Sequence, residues 1–411
     1  MPITAFTGDG AILRTSKGEL IDLSAGAGIT CLGYGHRTVT EALKGQLDTL
    51  PYAHAANFTT SPVEQLAQML LDSTAHPSFD DGAVMFLNGG GEAVEAACKL
   101  AVQYFIESQG DTTSFVARKL SYHGNSFFCL ALGDHPRKQP YMNYNPLKYP
   151  NQLLQRLPVH RIGVRSSELD LANLEDQLKD HANITVVIEP IAGTTCGIEP
   201  PQRDYLPRLK HLCNPTTLLI YDEVLCGNYR TARPYAWQHY APTDPPDMIV
   251  VGKGLTGGYF PLSAVIVNAR VKNALLKGSG KLWHSTTNQN HALGSAGAIA
   301  ASFAYRSAIP RIKELSLQLK GRLRQLKLSH ERIERISGEG CLWGIQLDET
   351  MVGVHEALRS RGQDFGLALY TDGGSTEQAN MILIAPPYCI TDAQMDLAFH
   401  RLDHLLKEVL A

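Results

Sequence analysis

Short apolar segments alternate with longer amphipathic segments between residues 83 and 267 of this 411-residue chain. The apolar segments are residues 83–87, 114–117, 185–188, 216–221, 248–251 and 262–267. Strands that are buried on both faces of a sheet have this composition, and parallel neighbours need a crossover between them. The alternation therefore predicts an α/β fold with a largely parallel sheet that helices cover on both faces.

The pattern changes after Ala292. Two long helical segments, residues 292–306 and 311–336, are predicted there, and a shorter α+β tail follows them. A chain of this length exceeds the usual size of a single domain. We therefore predict a large domain over residues 46–300 and a small domain over residues 301–411, which the N-terminal segment 1–45 joins.

The composition argues against several classes of protein. Lysine and arginine number 37 against 40 acidic residues, and no basic cluster indicates a nucleic-acid surface. No apolar stretch approaches the roughly 20 residues that cross a bilayer, and the N-terminus lacks a secretory signal pattern. The eight cysteines form no CxxC pair, so neither a metal site nor a disulfide framework is indicated. We expect a cytoplasmic protein without a membrane partner.

Two of the apolar segments end in residues that carry chemistry. One leads into Asp222, and another leads through Gly252 into Lys253 and a glycine-rich turn. A lysine that is desolvated at the end of a buried strand has a lowered pKa and can act as a nucleophilic amine. Pyridoxal 5'-phosphate (PLP) needs such a lysine for its Schiff base and an acid beside its pyridinium nitrogen. Taken singly, Lys253 is better explained as a loop lysine and Asp222 as a capping residue, but their joint occurrence at two strand ends indicates this cofactor.

A glycine-rich turn follows the first apolar segment. Gly89, Gly90 and Gly91 precede a helical pattern of small residues. Glycines let the backbone approach a phosphate, and a helix N-terminus supplies free N–H groups and a positive dipole end. A tight turn without a ligand is an equally good explanation of this segment alone. Similarly, Tyr122 could stack on a flat heteroaromatic cofactor or pack in the core.

These segments form an ordered set that resembles the class III (ornithine/omega) aminotransferases of PLP fold type I. The segments that carry the resemblance are Asn88-Gly-Gly-Gly-Glu-Ala-Val-Glu95, Tyr122-His-Gly124, Ile188-Glu-Pro-Ile-Ala-Gly193, Asp222-Glu-Val224, Arg230-Thr231, Pro246-Asp-Met248, Gly252-Lys-Gly-Leu-Thr-Gly-Gly258, Thr287 with His291-Ala-Leu293, and Ala385-Pro-Pro-Tyr388. The resemblance implies a mostly parallel, seven-stranded sheet in a large domain and a smaller α+β domain formed by the N- and C-terminal segments.

The resemblance also implies a role for individual residues. Lys253 would form the Schiff base with PLP and move the proton, and Asp222 would pair with the pyridinium nitrogen. The remaining cofactor contacts would be Val224 and Tyr122 on the two ring faces, Gly90 and Gly91 on the phosphate, Glu189 near the phenolic oxygen, and the Thr287 hydroxyl on the phosphate. Because Thr287 in this family comes from the partner subunit, a homodimer is implied.

Departures from the family pattern bear on the substrate. Members that bind alpha-amino acids often have an arginine two residues before Ala-Pro-Pro and a glutamate five residues after the Glu of Glu-Pro. Leu383 and Thr194 occupy these positions here. A leucine cannot pair with a carboxylate as a guanidinium does. We therefore predict a substrate with a substantial apolar part or a distal amine, and the further candidates for contact with it are Tyr52, His54 and Phe58.

Transfer of an amino group between an amine or amino acid and a keto acid or ketone is thus the leading hypothesis. A PLP-dependent decarboxylase, racemase or lyase is the alternative within the same chemistry, because the protein's orientation of the substrate selects the bond that breaks. A non-catalytic protein of this fold has no physical need for Lys253 and Asp222. A dinucleotide-dependent dehydrogenase lacks its glycine fingerprint.

Overall fold

The computed structural model describes residues 3–135, 159–163, 167–348, 350–351, 353–373 and 380–410. Its strands are β1 Ala5–Asp9, β2 Ile12–Thr15, β3 Gly18–Asp22, β4 Ala83–Leu87, β5 Ser114–Arg118, β6 Val159–Ile162, β7 Ile184–Ile188, β8 Thr217–Asp222, β9 Met248–Val251, β10 Ser263–Val267, β11 Ile333–Glu339, β12 Leu342–Leu347, β13 Leu367–Ala368, β14 Tyr370–Gly373 and β15 Asn380–Ile384. The alternating segments predicted from the sequence are therefore strands.

Helices cover these strands. The α-helical segments are Ala25–Gly28, Arg37–Thr49, Ser61–Ser73, Gly90–Gln109, Phe127–Leu132, Glu168–Asp180, Tyr205–Leu212, Trp237–Tyr240, Ala269–Lys277, Ala292–Ser329, Val354–Asp364 and Asp392–Val409. Short 3-10 helices span Pro77–Phe79, Thr194–Cys196 and Lys253–Thr256. Within the described ranges, no helix is both long and apolar enough to cross a membrane.

The central sheet has seven strands in the order β4-β10-β9-β8-β7-β5-β6. Strand β10 is antiparallel to both of its neighbours, and every other adjacent pair is parallel. The prediction of a mostly parallel sheet is therefore confirmed. The parallel arrangement brings the carboxyl ends of β7, β8 and β9 to one edge of the sheet, where the candidate site lies.

Alternate side chains of the central strands enter two separate apolar cores. Leu219 and Tyr221 of β8 pack in one core, whereas Leu218 and Ile220 pack in the other. Successive side chains of a strand point to opposite faces, so a strand covered on both sides must be apolar at every position. This burial is the physical reason that the strands read as continuous apolar runs.

The N-terminal strands pair with the C-terminal part of the chain. Strands β1, β2, β3 and β13 form a four-stranded sheet, in which Ile21 of β3 is in register with Leu367 of β13. Strands β11, β12, β15 and β14 form another sheet, and both sheets contribute to one apolar core with the helix Asp392–Val409. The predicted boundaries at residues 45 and 300 remain a prediction, and the helix Ala292–Ser329 runs through the second of them.

One helix prediction was wrong. The segments 292–306 and 311–336 were expected to be two helices, but Ala292–Ser329 is one helix that contains Pro310, and Ile333–Glu339 is strand β11. Burial of Ile312, Leu315 and Leu319 in the core keeps the helix continuous beyond the proline. Residues after Ser329 instead pair with β12, and this long-range pairing outweighs the local helical periodicity.

Candidate active site

Lys253 follows the carboxyl end of β9 and begins the 3-10 helix Lys253–Thr256. Its φ of 43° lies in the left-handed region, which costs about 1 to 3 kcal/mol for a residue with a side chain. Desolvation lowers the pKa of the Lys253 amine, although the carboxylates of Asp222 and Glu189 oppose this effect. The amine therefore loses its proton more readily than an exposed lysine does.

Asp222 is the last residue of β8 and is almost completely buried. Its Oδ1 accepts a hydrogen bond of 3.1 Å from the Val224 N–H, and its Oδ2 lies 2.8 Å from Nδ1 of His123. Because β8 and β9 are parallel neighbours, Asp222 and Lys253 emerge at the same edge of the sheet. The sequence-based prediction that an acid and an amine meet in one crevice is confirmed, since both side chains line one cavity.

This cavity has a volume of about 240 Å³. Nine of the residues singled out from the sequence line it, namely Gly90, Gly91, Tyr122, Glu189, Thr194, Asp222, Val224, Lys253 and Leu383. It is also lined by Ala27, His123, Gly124, His135, Ile191, Gly193, Leu225, Tyr370 and Asp372. The fold thus brings residues from Ala27 to Leu383 around one cavity. The role of each residue toward a cofactor or substrate remains a proposal.

The glycine-rich turn forms a close-packed cradle at one end of the cavity. Gly90 begins the 20-residue helix Gly90–Gln109, whose first N–H groups have no partner within the helix, and Gly90 and Gly91 both line the cavity. A Cβ atom on Gly90 would lie 2.8 Å from Cγ1 of Val224, and one on Gly91 would lie 3.3 Å from Cα of Gly124. A larger residue at either position would therefore displace its neighbours at a helix N-terminus that is suited to an anion.

Glu189 closes another side of the cavity just after β7. Its Oε1 accepts a hydrogen bond of 3.0 Å from the Gly193 N–H, and its Oε2 accepts one of 3.5 Å from the Tyr122 N–H. Arg118 donates a hydrogen bond to the Glu189 backbone carbonyl. Burial raises the pKa of the Glu189 carboxyl, while nearby His123 opposes the shift. Glu189 is therefore held as a fixed polar wall of the cavity.

The cavity residues fit PLP. The helix N-terminus at Gly90 suits a phosphate, Asp222 suits a pyridinium nitrogen, and the Lys253 amine suits an aldehyde. The three features lie around one cavity, as one molecule that carries all three groups requires. Within the described ranges no cluster of three His, Cys, Asp or Glu side chains could hold a metal ion.

Four predicted residues lie away from this cavity. Thr287, His54 and Phe58 are exposed, and the exposed fraction of Phe58 is 64%. Tyr52 donates a hydrogen bond of 2.7 Å from its hydroxyl to the backbone carbonyl of Thr287. The two segments that contain these residues are thus in contact with each other, but they do not contribute to the cavity of their own chain.

The cavity residues that the sequence reasoning did not assign include His123, Tyr370 and Asp372. His123 stands in a segment that was singled out, and a histidine between an aromatic residue and a glycine was an available signal. Tyr370 and Asp372 lie on β14 and had no comparable signal. Their position depends on the pairing of β14 with β15, in which Tyr370 is in register with Leu383.

A side chain from the N-terminal segment holds Tyr370 and Leu383 in their relative position. The Ser24 hydroxyl donates a hydrogen bond of 2.6 Å to the Leu383 carbonyl and accepts one of 2.8 Å from the Tyr370 N–H. Asp22 in turn accepts a hydrogen bond of 3.0 Å from the Ser24 N–H. The relative position of Tyr370 and Leu383 therefore depends on a segment more than 300 residues away in the sequence.

The fold and the cavity define a PLP enzyme of fold type I. A family profile described as aminotransferase class III matches residues 1–406, and the chain belongs to this family. Succinylornithine transaminase of Yersinia pseudotuberculosis is 30% identical over 405 residues, which cover 95% of this chain and 90% of that protein. The uncharacterized aminotransferase YodT of Bacillus subtilis is 28% identical over 418 residues, with 96% and 92% coverage.

Solved structures share the fold of this chain. A transaminase from the marine bacterium Virgibacillus superposes with a TM-score of 0.88 at 21% identity, covering 100% of this chain and 93% of that chain. The ornithine aminotransferase of Toxoplasma gondii superposes with a TM-score of 0.83 at 25% identity, covering 100% and 91%. The protein is a PLP-dependent aminotransferase. None of these relatives supports the decarboxylase, racemase or lyase alternative.

Proposed function

We propose that Lys253 and Asp222 carry out amino transfer from a donor amine to a keto acid or ketone in this cavity. In the first half-reaction the donor CH–NH₂ group becomes a carbonyl and its amino group is retained in the site. In the second half-reaction an acceptor carbonyl receives that amino group, so no external oxidant or reductant is consumed. Bound PLP supplies the aldehyde that carries the amino group and a ring that accepts electrons.

Lys253 is proposed as the general base of the reaction. Lys253 lines the cavity, and the lowered pKa of its amine favours the unprotonated form that a nucleophile or base requires. With PLP and a donor amine bound, Lys253 would act as the general base that takes the proton from the donor carbon, while the PLP ring would supply the electron sink. The left-handed backbone at Lys253 holds the residue at the strand end, where it meets the cavity.

Asp222 and the cradle would orient the cofactor. Hydrogen bonds from the Val224 N–H and His123 hold both Asp222 oxygens, so the carboxylate is positioned before a ligand binds. Val224 and Tyr122 both line the cavity and would cover the two faces of a flat ring. Gly90 and Gly91 would bind the phosphate through backbone N–H groups.

The observation that carries the proposal is that Lys253 and Asp222 line one cavity with the N-terminus of the helix Gly90–Gln109. The test is the visible absorption spectrum of the purified protein with PLP, before and after addition of amine donors. The lysine-bound cofactor should absorb in the wild type, lose this band with a donor and regain it with a keto acid. Lys253→Ala should lack this cycle, whereas Lys277→Ala, at an exposed position, should retain it.

Two other outcomes would overturn the proposal. Release of carbon dioxide without transfer of the amino group would point to decarboxylation instead. Failure of the wild type to bind PLP would contradict the assigned roles of both Lys253 and Asp222.

We propose that the site lacks the arginine that would bind the alpha-carboxylate of an amino acid substrate. Leu383 is completely buried in the cavity wall, and no described residue that lines the cavity is an arginine. A neutral leucine cannot offer the paired N–H donors that a carboxylate needs. Equal or better turnover of glutamate and alpha-ketoglutarate than of simple amines and ketones would contradict this proposal.

We further propose that the protein is a homodimer and that it is located in the cytoplasm. Thr287 lies outside the cavity of its own chain, and its exposed position is compatible with a contribution to the cavity of a partner subunit. Sedimentation analysis should then give a dimer, and Thr287→Ala should weaken PLP binding in it. A monomer with full activity would contradict this part of the proposal.

A further inference from the structure

Asp372 contributes a carboxylate to the cavity wall. It lies on β14, where Tyr370 and Asp372 both line the cavity, while the hydroxyl of Thr371 between them donates to the His355 carbonyl. This alternation is that of a strand with one face toward the cavity. The Asp372 side chain is thus placed there by the strand itself and is only partly exposed to solvent.

The described contacts of Asp372 do not neutralise it. Its Oδ2 accepts a hydrogen bond of 3.2 Å from the Thr194 hydroxyl. No lysine, arginine or histidine in the described part of the chain forms an ion pair with it. Partial burial of a carboxylate without a cation is unfavourable, and a bound cation would relieve that cost.

The other acids of the cavity are already engaged. Asp222 contacts His123, and Glu189 accepts two backbone hydrogen bonds. Asp372 is therefore the carboxylate in the cavity that remains available to a charged substrate group.

The register of the strands places an apolar surface beside this carboxylate. Tyr370 is opposite Leu383, and Asp372 is opposite Met381, two positions further along β14. Two strand residues span about 7 Å, so an apolar chain that lies along Tyr370 and Leu383 can extend toward Asp372. This part of the cavity surface thus combines the apolar side chains of Tyr370 and Leu383 with the carboxylate of Asp372.

We infer that Asp372 is a specificity-determining residue, which binds the distal ammonium group of a primary diamine whose other amino group is transferred. This inference rests on the amino transfer proposed above. A distal carboxylate would be repelled by Asp372, and an uncharged chain would gain nothing from it. Thr194 holds the carboxylate through its hydroxyl and so positions it.

The test compares three donors of equal chain length with the PLP-loaded enzyme: 1,5-diaminopentane, pentylamine and 5-aminopentanoate. The wild type should give its highest kcat/KM with the diamine and its lowest with the amino acid. Asp372→Asn should lower the ratio of kcat/KM for diamine to pentylamine by about tenfold to a hundredfold, which is the effect of losing a hydrogen bond to a charged group. Asp111→Asn removes the same charge at an exposed loop and should leave this ratio unchanged.

Binding of unreactive ligands separates failure of this inference from failure of the proposed function. N,N-dimethylpentylamine and pentanoate cannot donate an amino group, and calorimetry gives their dissociation constants for the wild type and Asp372→Asn. The variant should bind the cation more weakly and the anion more tightly, whether or not amino transfer occurs. Unchanged preferences in both the kinetic and the binding measurements, in a variant that unfolds at the wild-type temperature, would overturn the role of Asp372. Absence of amino transfer from every donor would instead overturn the proposed function.

Discussion

His123 Nδ1 lies 2.8 Å from Oδ2 of Asp222, and both side chains are almost completely buried. The other Asp222 oxygen is held by the Val224 N–H. A buried carboxylate with fixed partners keeps one orientation, which is what a group that must face a ring nitrogen requires. His123 is thus proposed as a positioning residue for Asp222.

We expect His123→Ala to lower the rate of amino transfer and PLP affinity. Loss of a hydrogen bond to a charged group costs about 1.5 to 3 kcal/mol, equivalent to about tenfold to a hundredfold in PLP affinity. Titration of the cofactor-free protein with PLP measures this effect. His211→Ala, at an exposed position, should have no such effect. Wild-type affinity in a folded His123→Ala protein would contradict the positioning role.

The lowered pKa of Lys253 predicts how PLP loading depends on pH. Only the unprotonated amine attacks the cofactor aldehyde, so the loading rate should rise with pH and level off above the Lys253 pKa. Because burial lowers this pKa, the rise should be complete at a lower pH than for an exposed lysine. Rapid-mixing absorbance of cofactor-free protein with PLP checks this expectation, with reaction of PLP with free lysine as the reference. A rate profile that coincides with that of free lysine would contradict it.

Gly90→Ala is expected to weaken PLP binding. The added Cβ would lie 2.8 Å from Val224 Cγ1, so either Val224 or the turn must move within the cavity. Overpacking of this kind costs about 1 to 3 kcal/mol, or at least about a fivefold loss of affinity. Gly89→Ala is a matched control, because a Cβ there meets no atom within 4 Å. Equal PLP affinity of the two variants would show that the cradle is less restrictive than its geometry indicates.

Glu223 predicts a pH dependence of stability. Burial raises the pKa of the Glu223 carboxyl to about 7, from the usual 4.5, although the N–H groups of Ala236 and Trp237 donate to it. The folded protein then retains a proton that the unfolded chain has lost, so stability falls as the pH rises from about 4.5 to about 7 and changes no further above that range.

Glu223→Gln removes this titration. The free energy of unfolding of the wild type relative to the variant should decrease by up to roughly 3 kcal/mol across that pH range. Denaturant unfolding at several pH values measures the difference. Glu331→Gln, at an exposed site, should follow the wild type. A constant difference between wild type and Glu223→Gln at all pH values would contradict the raised pKa.

Tertiary contacts decided several features that local patterns did not indicate. The continuous helix Ala292–Ser329 and the strand Ile333–Glu339 depend on burial and on pairing with Leu342–Leu347. Likewise, Asp372 reaches the cavity through the register of β14 on β15. Such contacts join residues that are distant in sequence, so their energy is absent from any local segment.

The sequence by itself determined the mostly parallel sheet and the meeting of Asp222 with Lys253. Both follow from local chemistry, because strands buried on two faces must be apolar throughout and parallel strands end at one edge. Only the tertiary structure placed His123 against Asp222 and Asp372 beside Thr194. The contact between His123 and Asp222 requires the packing of loops across the sheet, and that between Asp372 and Thr194 requires the β14–β15 pair beside the 3-10 helix Thr194–Cys196.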